Sequence, residues 1–156
     1  MKTILVLILT IVFLISCSTN HSSTLDSDEF NDTSERIEQL EKEIKLFSPI
    51  LNAEFELFNV NGFSDQTTLF PSVPGASSWD YKFVIKVSAD SVNNWIADMD
   101  KVDSVVTENW TEKIIEKRKQ NWILNSKPEY YRRKNDDVLI ILYRKEGVVF
   151  KRIVNL

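Results

Sequence analysis

The sequence predicts an α+β fold: an antiparallel sheet of about five strands in the order β-β-α-α-β-β-β, with two helices packed on one face, preceded by a tethered amphipathic helix. Two periodic patterns predict it. Five segments have the apolar pattern of strands, and between the second and third of them apolar residues recur at helical spacing. Removing the first 16 of 156 residues leaves 140, which is the size of one ordinary domain.

The first predicted element is an amphipathic helix over about 33–47. Asp32 and Glu35 have the spacing of a capping box, and Ser48-Pro49 ends the run. The apolar residues of this helix lie at helical spacing: Ile37, Leu40, Ile44 and Phe47. Two roles are open for the helix, since it can pack along the domain or pair with a second helix in an oligomer.

The other elements follow from changes in apolar period. Strands are predicted over 51–57, 81–87, 129–133, 138–143 and 148–154, and helices over about 90–99 and 105–121. The segment 138–142 is apolar on both faces, so we expect an interior strand with another layer covering it.

The longest irregular stretch, 61–80, is a candidate binding loop. It contains the turn Asn61-Gly62 and the large apolar residues Phe63, Phe70 and Trp79. Long loops on a scaffold often carry binding residues. The alternative is that these side chains cover one end of the core.

The N-terminus has the parts of an export signal. Lys2 provides a positive start, and the apolar run 4–15 is too short to cross a bilayer. The run ends in Leu14-Ile15-Ser16-Cys17, and Cys17 is the only cysteine. This tetrapeptide resembles the lipobox of bacterial lipoproteins, in which aliphatic and small residues precede an invariant cysteine.

That resemblance implies cleavage before Cys17, a diacylglycerol thioether on its sulfur and acylation of the new N-terminus. Two or three acyl chains hold a protein on a membrane almost permanently. Ser18 and Thr19 follow, without the acidic residue that favours inner-membrane retention in enteric-type sorting. We therefore expect the periplasmic face of the outer membrane.

The charge is unevenly distributed along the chain. Residues up to 112 include 7 basic and 18 acidic side chains, whereas those from 113 onward include 12 and 5. Either the two parts attract each other within the fold, or the basic residues form a face for an acidic partner or lipid headgroups. The candidate basic face contains Arg118, Arg132, Arg133 and Lys134. Nucleic acid is not expected as a partner of an acidic, exported chain.

Residue types argue against catalysis. The only histidine, His21, precedes the domain, and the three glycines after it lie far apart. These facts exclude a histidine-based triad, a histidine or cysteine metal site and a phosphate-binding glycine loop in the domain. Carboxylates at strand positions remain as candidates for a hydrolase: Glu54, Glu56 and Asp80. We expect no enzyme activity, no cofactor and no metal.

The predicted organisation is a signal peptide (1–16), a lipid-anchored flexible linker (17–34), an amphipathic helix (35–47) and a single α+β domain (48–156). The predicted function is a membrane-anchored envelope lipoprotein, a non-catalytic module that binds a protein or envelope component and faces the periplasm. An immunity protein against a secreted toxin is one concrete form. The alternatives are an assembly component that oligomerises through the 33–47 helix and a carboxylate-dependent hydrolase.

Overall fold

The computed structural model describes residues 22–63, 78–103, 109–134 and 138–155, in which one sheet contains all the strands. The strands are β1 (Ser22–Asp26), β2 (Asn52–Phe63), β3 (Trp79–Lys86), β4 (Asp100–Val102), β5 (Glu129–Arg132), β6 (Val138–Tyr143) and β7 (Val148–Asn155). Their order is β1-β2-β3-β7-β6-β5-β4, and every neighbouring pair is antiparallel.

Two α-helices and three short 3-10 helices accompany the sheet in the described ranges. They are α1 (Thr33–Glu43), α2 (Trp110–Ile115) and the 3-10 helices Ser27–Glu29, Ala89–Trp95 and Glu116–Asn121. The Asp32 side chain caps α1 by accepting a hydrogen bond from Ser34 N at 2.7 Å. Leu40, on the side of α1 that faces the sheet, is fully buried. None of the described helices is long and apolar enough to cross a membrane.

Each face of the sheet carries an apolar cluster. Since side chains alternate along a strand, neighbouring residues enter different layers. On the first face α1 and the helix Ala89–Trp95 cover Ala53, Phe55, Leu57, Phe83, Ile85, Ile140, Leu142 and Val149. On the second face α2 and Trp122 cover Val84, Ile141, Val148 and Phe150. The strand β6 is interior with both faces covered, as its apolar run predicts.

The predicted sheet of about five strands with two helices on one face is wrong. The sheet has seven strands, and helices cover both of its faces. The first additional strand, β1, lies within the predicted linker 17–34, and the second, β4, lies at a predicted helix end. Both are polar edge strands held by main-chain pairing to one neighbour, so they carry no apolar period that reveals them.

The two predicted central helices are also shorter than their apolar patterns suggest. The first is the 3-10 helix Ala89–Trp95, in which Val92 and Trp95 are buried three residues apart, matching three residues per turn. The second is the six-residue α2 followed by a 3-10 helix, with a break at Arg118 (φ −130°, ψ 39°). Residues 104–108 of that prediction lie outside the described ranges.

Candidate functional site

A cleft opens where the first face continues past its helical cover. There β3 begins and β7 ends, and Trp79 pairs with Asn155. The cleft has a volume of about 550 Å³, within the range of small-molecule sites. Its lining combines aromatic and charged side chains: Glu43, Ile44, Lys45, Phe47, Trp79, Tyr81, Phe83, Asp98, Arg133, Lys151 and Ile153.

Lys151 forms the floor of the cleft. On β7 it lies between Val149 and Ile153 on the first face, and it is 6% exposed. Its Nζ lies 5.2 Å from the ring centroid of Phe47 and 5.9 Å from that of Trp95, which are cation–π distances. Among the described residues no carboxylate pairs with this ammonium group. Burial, with a smaller contribution from the charge of Arg133, lowers the pKa of Lys151 to about 8.

The aromatic walls are held in place by their own contacts. The Phe47 ring meets the Trp95 ring edge-on at 5.2 Å, and Trp95 Nε1 donates to Ser48 Oγ at 2.8 Å. On the other wall the Tyr81 ring lies 6.1 Å from the ring of Phe63. These contacts preorganise the cleft, which reduces the entropy lost when a ligand binds.

Four further charged groups line the cleft above Lys151. Lys45 and Asp98 are exposed and therefore lie at the rim, whereas Glu43 and Arg133 are half-buried. Burial raises the pKa of Glu43, with a smaller opposing effect from Lys42. The lining thus contains three basic and two acidic side chains.

The residues predicted for the binding loop converge on this cleft to the extent that the structure describes them. Trp79 lines it, and Phe63 packs against the lining residue Tyr81. Phe70 lies outside the described residues, as do Leu14, Ile15, Ser16 and Cys17.

The structure does not gather the four predicted basic residues on one surface. Arg133 lines the cleft, and Arg132 and Lys134 are exposed at the end of β5. Arg118 is engaged elsewhere: it donates to Glu54 Oε2 at 2.7 Å and to the Phe30 carbonyl at 2.7 Å.

Ion pairs join the acidic and basic parts of the chain. Glu54 is 1% exposed and lies between Arg118 and Arg36, whose Nε is 3.6 Å from Glu54 Oε1. Arg36 Nε also donates to the Ala53 carbonyl at 2.9 Å. This buried cluster ties the segment before α1 to β2 and to the helix Glu116–Asn121.

The three carboxylates considered for hydrolysis all contact basic side chains. Glu54 belongs to the buried cluster, and Glu56 pairs with Lys82 at 3.2 Å. Asp80 accepts from Arg152 Nε at 2.9 Å and from Arg152 Nη2 at 3.0 Å. In the described ranges no group of three metal-ligating side chains comes together.

Sequence reasoning missed the residue that gives the cleft its charge. Lys151 interrupts the apolar alternation of β7 at an inward position, between Val149 and Ile153. A lysine at such a position is unusual, because lysine is rarely fully buried unless paired. The inward position of Lys151 could be seen in the sequence. Whether this lysine is buried and unpaired depends on which residues cover that face of the sheet.

A second cavity, of about 410 Å³, lies on the second face. Its lining is partly apolar, with Ile115, Leu124, Tyr130 and Phe150, and its charged members are Glu112 and Lys119. Neither of these two is buried, so this cavity lacks the buried charge that distinguishes the cleft on the first face.

Comparison with protein-family models, curated proteins and solved structures finds no match for this chain.

Proposed function

We propose that this protein is an exported, lipid-anchored lipoprotein of the bacterial envelope, facing the periplasm at the outer membrane, and that its domain is a non-catalytic binding module. The cleft around Lys151 is its binding site. The observation that carries the proposal is this preorganised cleft, where aromatic walls surround a buried cation that has no carboxylate partner in the described residues. A concave site whose apolar and aromatic walls surround convergent polar groups is typical of ligand recognition.

The position of β1 supports a short tether. Ser22 begins β1 and follows Cys17 by five positions. An extended chain spans at most about 3.6 Å per residue, so a lipid on Cys17 would lie within roughly 18 Å of β1. Ser22 pairs with Phe63 at the end of the sheet that also holds Trp79. The cleft would therefore lie close to the membrane.

The packing of α1 favours a binding module over an assembly component. The oligomer would need the apolar side of α1, but Leu40 is fully buried there and Ile37 and Ile44 pack against the same cluster. The ion pairs of Glu54, Glu56 and Asp80 likewise favour binding over hydrolysis, because each carboxylate already has a basic partner.

The anchor is tested by replacing the lipidated residue. We expect Cys17→Ala to abolish incorporation of labelled fatty acid and to leave an uncleaved precursor. The matched control is Ser18→Ala, one position after the lipidated cysteine, which should mature normally. Normal processing of Cys17→Ala would contradict lipid anchoring.

The cleft is tested by placing a photoreactive phenylalanine analogue at position 79 and, as a control, at position 58. Trp79 lines the cleft, whereas Phe58 is 39% exposed on a strand position that faces the other way. On intact cells we expect a discrete adduct from position 79 that Tyr81→Ala abolishes, and none from position 58. Equal labelling at both positions would refute the assignment of the site.

A further inference from the structure

The floor of the cleft indicates the chemistry of the ligand. A buried ammonium group without a counter-ion is unfavourable, because it loses water without gaining an opposite charge. Lys151 is in this state within the described part of the chain, with only two aromatic rings near Nζ. A ligand that supplies an anionic group would complete its coordination.

The charge balance of the lining limits how much negative charge is accommodated. The carboxylates Glu43 and Asp98 line the same cleft as Lys151. Because Glu43 and Asp98 repel a densely charged anion, the lining favours a ligand with a single negative charge.

The remaining lining is apolar. Phe47, Trp79, Tyr81, Phe83 and Ile153 surround the space above Lys151. Contact with a small hydrated ion would remove little apolar surface of these side chains from water. Contact with an apolar chain would remove much more, which is energetically favourable.

We propose that the cleft binds an amphiphile with a net charge of −1, carried by a carboxylate or a phosphodiester that is joined to an apolar chain. The anionic group pairs with Lys151, and the chain lies against the aromatic walls. This inference rests on the proposed function, in which the cleft is the binding site. Both a lipid of the nearby membrane and a free amphiphilic acid have this chemistry.

The test is calorimetric titration of octanoate into the full-length protein reconstituted in phosphatidylcholine vesicles, with empty vesicles subtracted. Octanol supplies the chain without the charge, and acetate supplies the charge without the chain. We expect octanoate to bind at least tenfold more tightly than either. Lys151→Met should weaken octanoate binding at least tenfold, because it removes a charge-assisted contact.

The matched control is Lys82→Met. Lys82 is a strand lysine like Lys151, but it pairs with Glu56 at 3.2 Å and lies outside the cleft. Its substitution should leave octanoate affinity unchanged. Equal affinity in the wild type and Lys151→Met, or octanol binding as tightly as octanoate, would overturn the proposal.

A pH series avoids any substitution. The titratable and charged groups that face Lys151 across the cleft are Glu43, Lys45, Tyr81, Asp98 and Arg133. Octanoate keeps its charge between pH 7 and 9.5, and in this range Lys151 loses its own. Affinity should fall several-fold over the range in the wild type and stay constant in Lys151→Met. A flat profile in the wild type would contradict the role of Lys151.

Adding phosphatidylglycerol to the vesicles distinguishes the two ligand sources. Competition with octanoate supports the inference with a membrane lipid as the natural ligand, and its absence supports it with a free acid. Failure of the anion tests while position 79 still gives its specific adduct would overturn this inference and leave the proposed function standing.

Discussion

Lys151 should decrease the stability of the domain, and Lys151→Met should therefore increase it. The substitution keeps an unbranched side chain of similar length among Val149, Ile153 and the aromatic rings, and it removes the charge. This outcome is unusual, because most core substitutions destabilise a protein.

The magnitude follows from the pKa of Lys151. The value falls from 10.5 to about 8 on folding. This difference corresponds to about 3 kcal/mol of lost stability wherever the ammonium is charged in both states. The cation–π contacts with Phe47 and Trp95 return about 0.5–1 kcal/mol each. Lys151→Met should therefore raise the free energy of unfolding at pH 7 by about 1–2 kcal/mol.

The destabilisation caused by Lys151 should depend on pH in a definite direction. The folded pKa of Lys151 lies below the unfolded one, so the cost is fully present below about pH 8. Between about pH 8 and 10.5 the folded protein loses its proton first, and the cost is relieved. The advantage of Lys151→Met should therefore be largest at pH 7 and shrink as the pH rises towards 10.

Urea denaturation of the full-length protein in detergent at pH 7 and at pH 9.5 measures both quantities. Lys82→Met is again the control: it breaks ion pairs with Glu56 and Asp80, so it should be neutral or cost up to about 1 kcal/mol. A Lys151→Met variant that is less stable than the wild type at pH 7, or an advantage that does not change with pH, would refute the reasoning.

Three further predictions concern stability. Glu54→Ala should cost about 3–5 kcal/mol in chemical denaturation, because it leaves Arg36 and Arg118 without their buried partner, and a cost below about 1 kcal/mol would contradict the buried cluster. Hydrogen bonds, chiefly from Arg144, lower the pKa of Glu129 to about 2. The ionised Glu129 therefore contributes at most about 3 kcal/mol to the free energy of unfolding above about pH 4.5, and this contribution is lost as the pH falls towards 2. Glu129→Gln should remove that part of the acid dependence, which an unchanged acid-unfolding curve would disprove. Gly147→Ala should cost more than about 1 kcal/mol in thermal unfolding, because Gly147 has φ +66° and an added Cβ would lie 2.2 Å from a backbone carbonyl oxygen; an unchanged Tm would contradict this geometry.

The predictable strands share one property, a side-chain pattern that shows burial. The five predicted strands correspond to β2, β3, β5, β6 and β7, with ends that differ by up to six residues. The strands β1 and β4 were missed because edge strands of polar residues are held by main-chain hydrogen bonds.

Helix placement could not be predicted for a different reason. An apolar stripe shows that a helix packs against something, but it does not show which face of a sheet it covers. The buried residues Val92 and Trp95 share a period with a longer α-helix, and only the packed structure distinguishes this from a 3-10 helix. The same limit applied to Arg118, which was predicted on a basic face for a partner and instead pairs with Glu54, 64 positions away in the chain.

The sequence by itself determined the periods of the interior strands, the start of α1 at its Asp32 cap and two aromatic candidates of the cleft, Trp79 in its lining and Phe63 against Tyr81. Export and lipid attachment at Cys17 stay predictions, drawn from a linear signal. Only the tertiary structure decided that helices cover both faces, that a cleft forms at one end of the first face within the described ranges, and that Lys151 lies on its floor. The physical reason is that local periodicity records which side chains share a face, whereas burial and charge pairing depend on residues far apart in the chain.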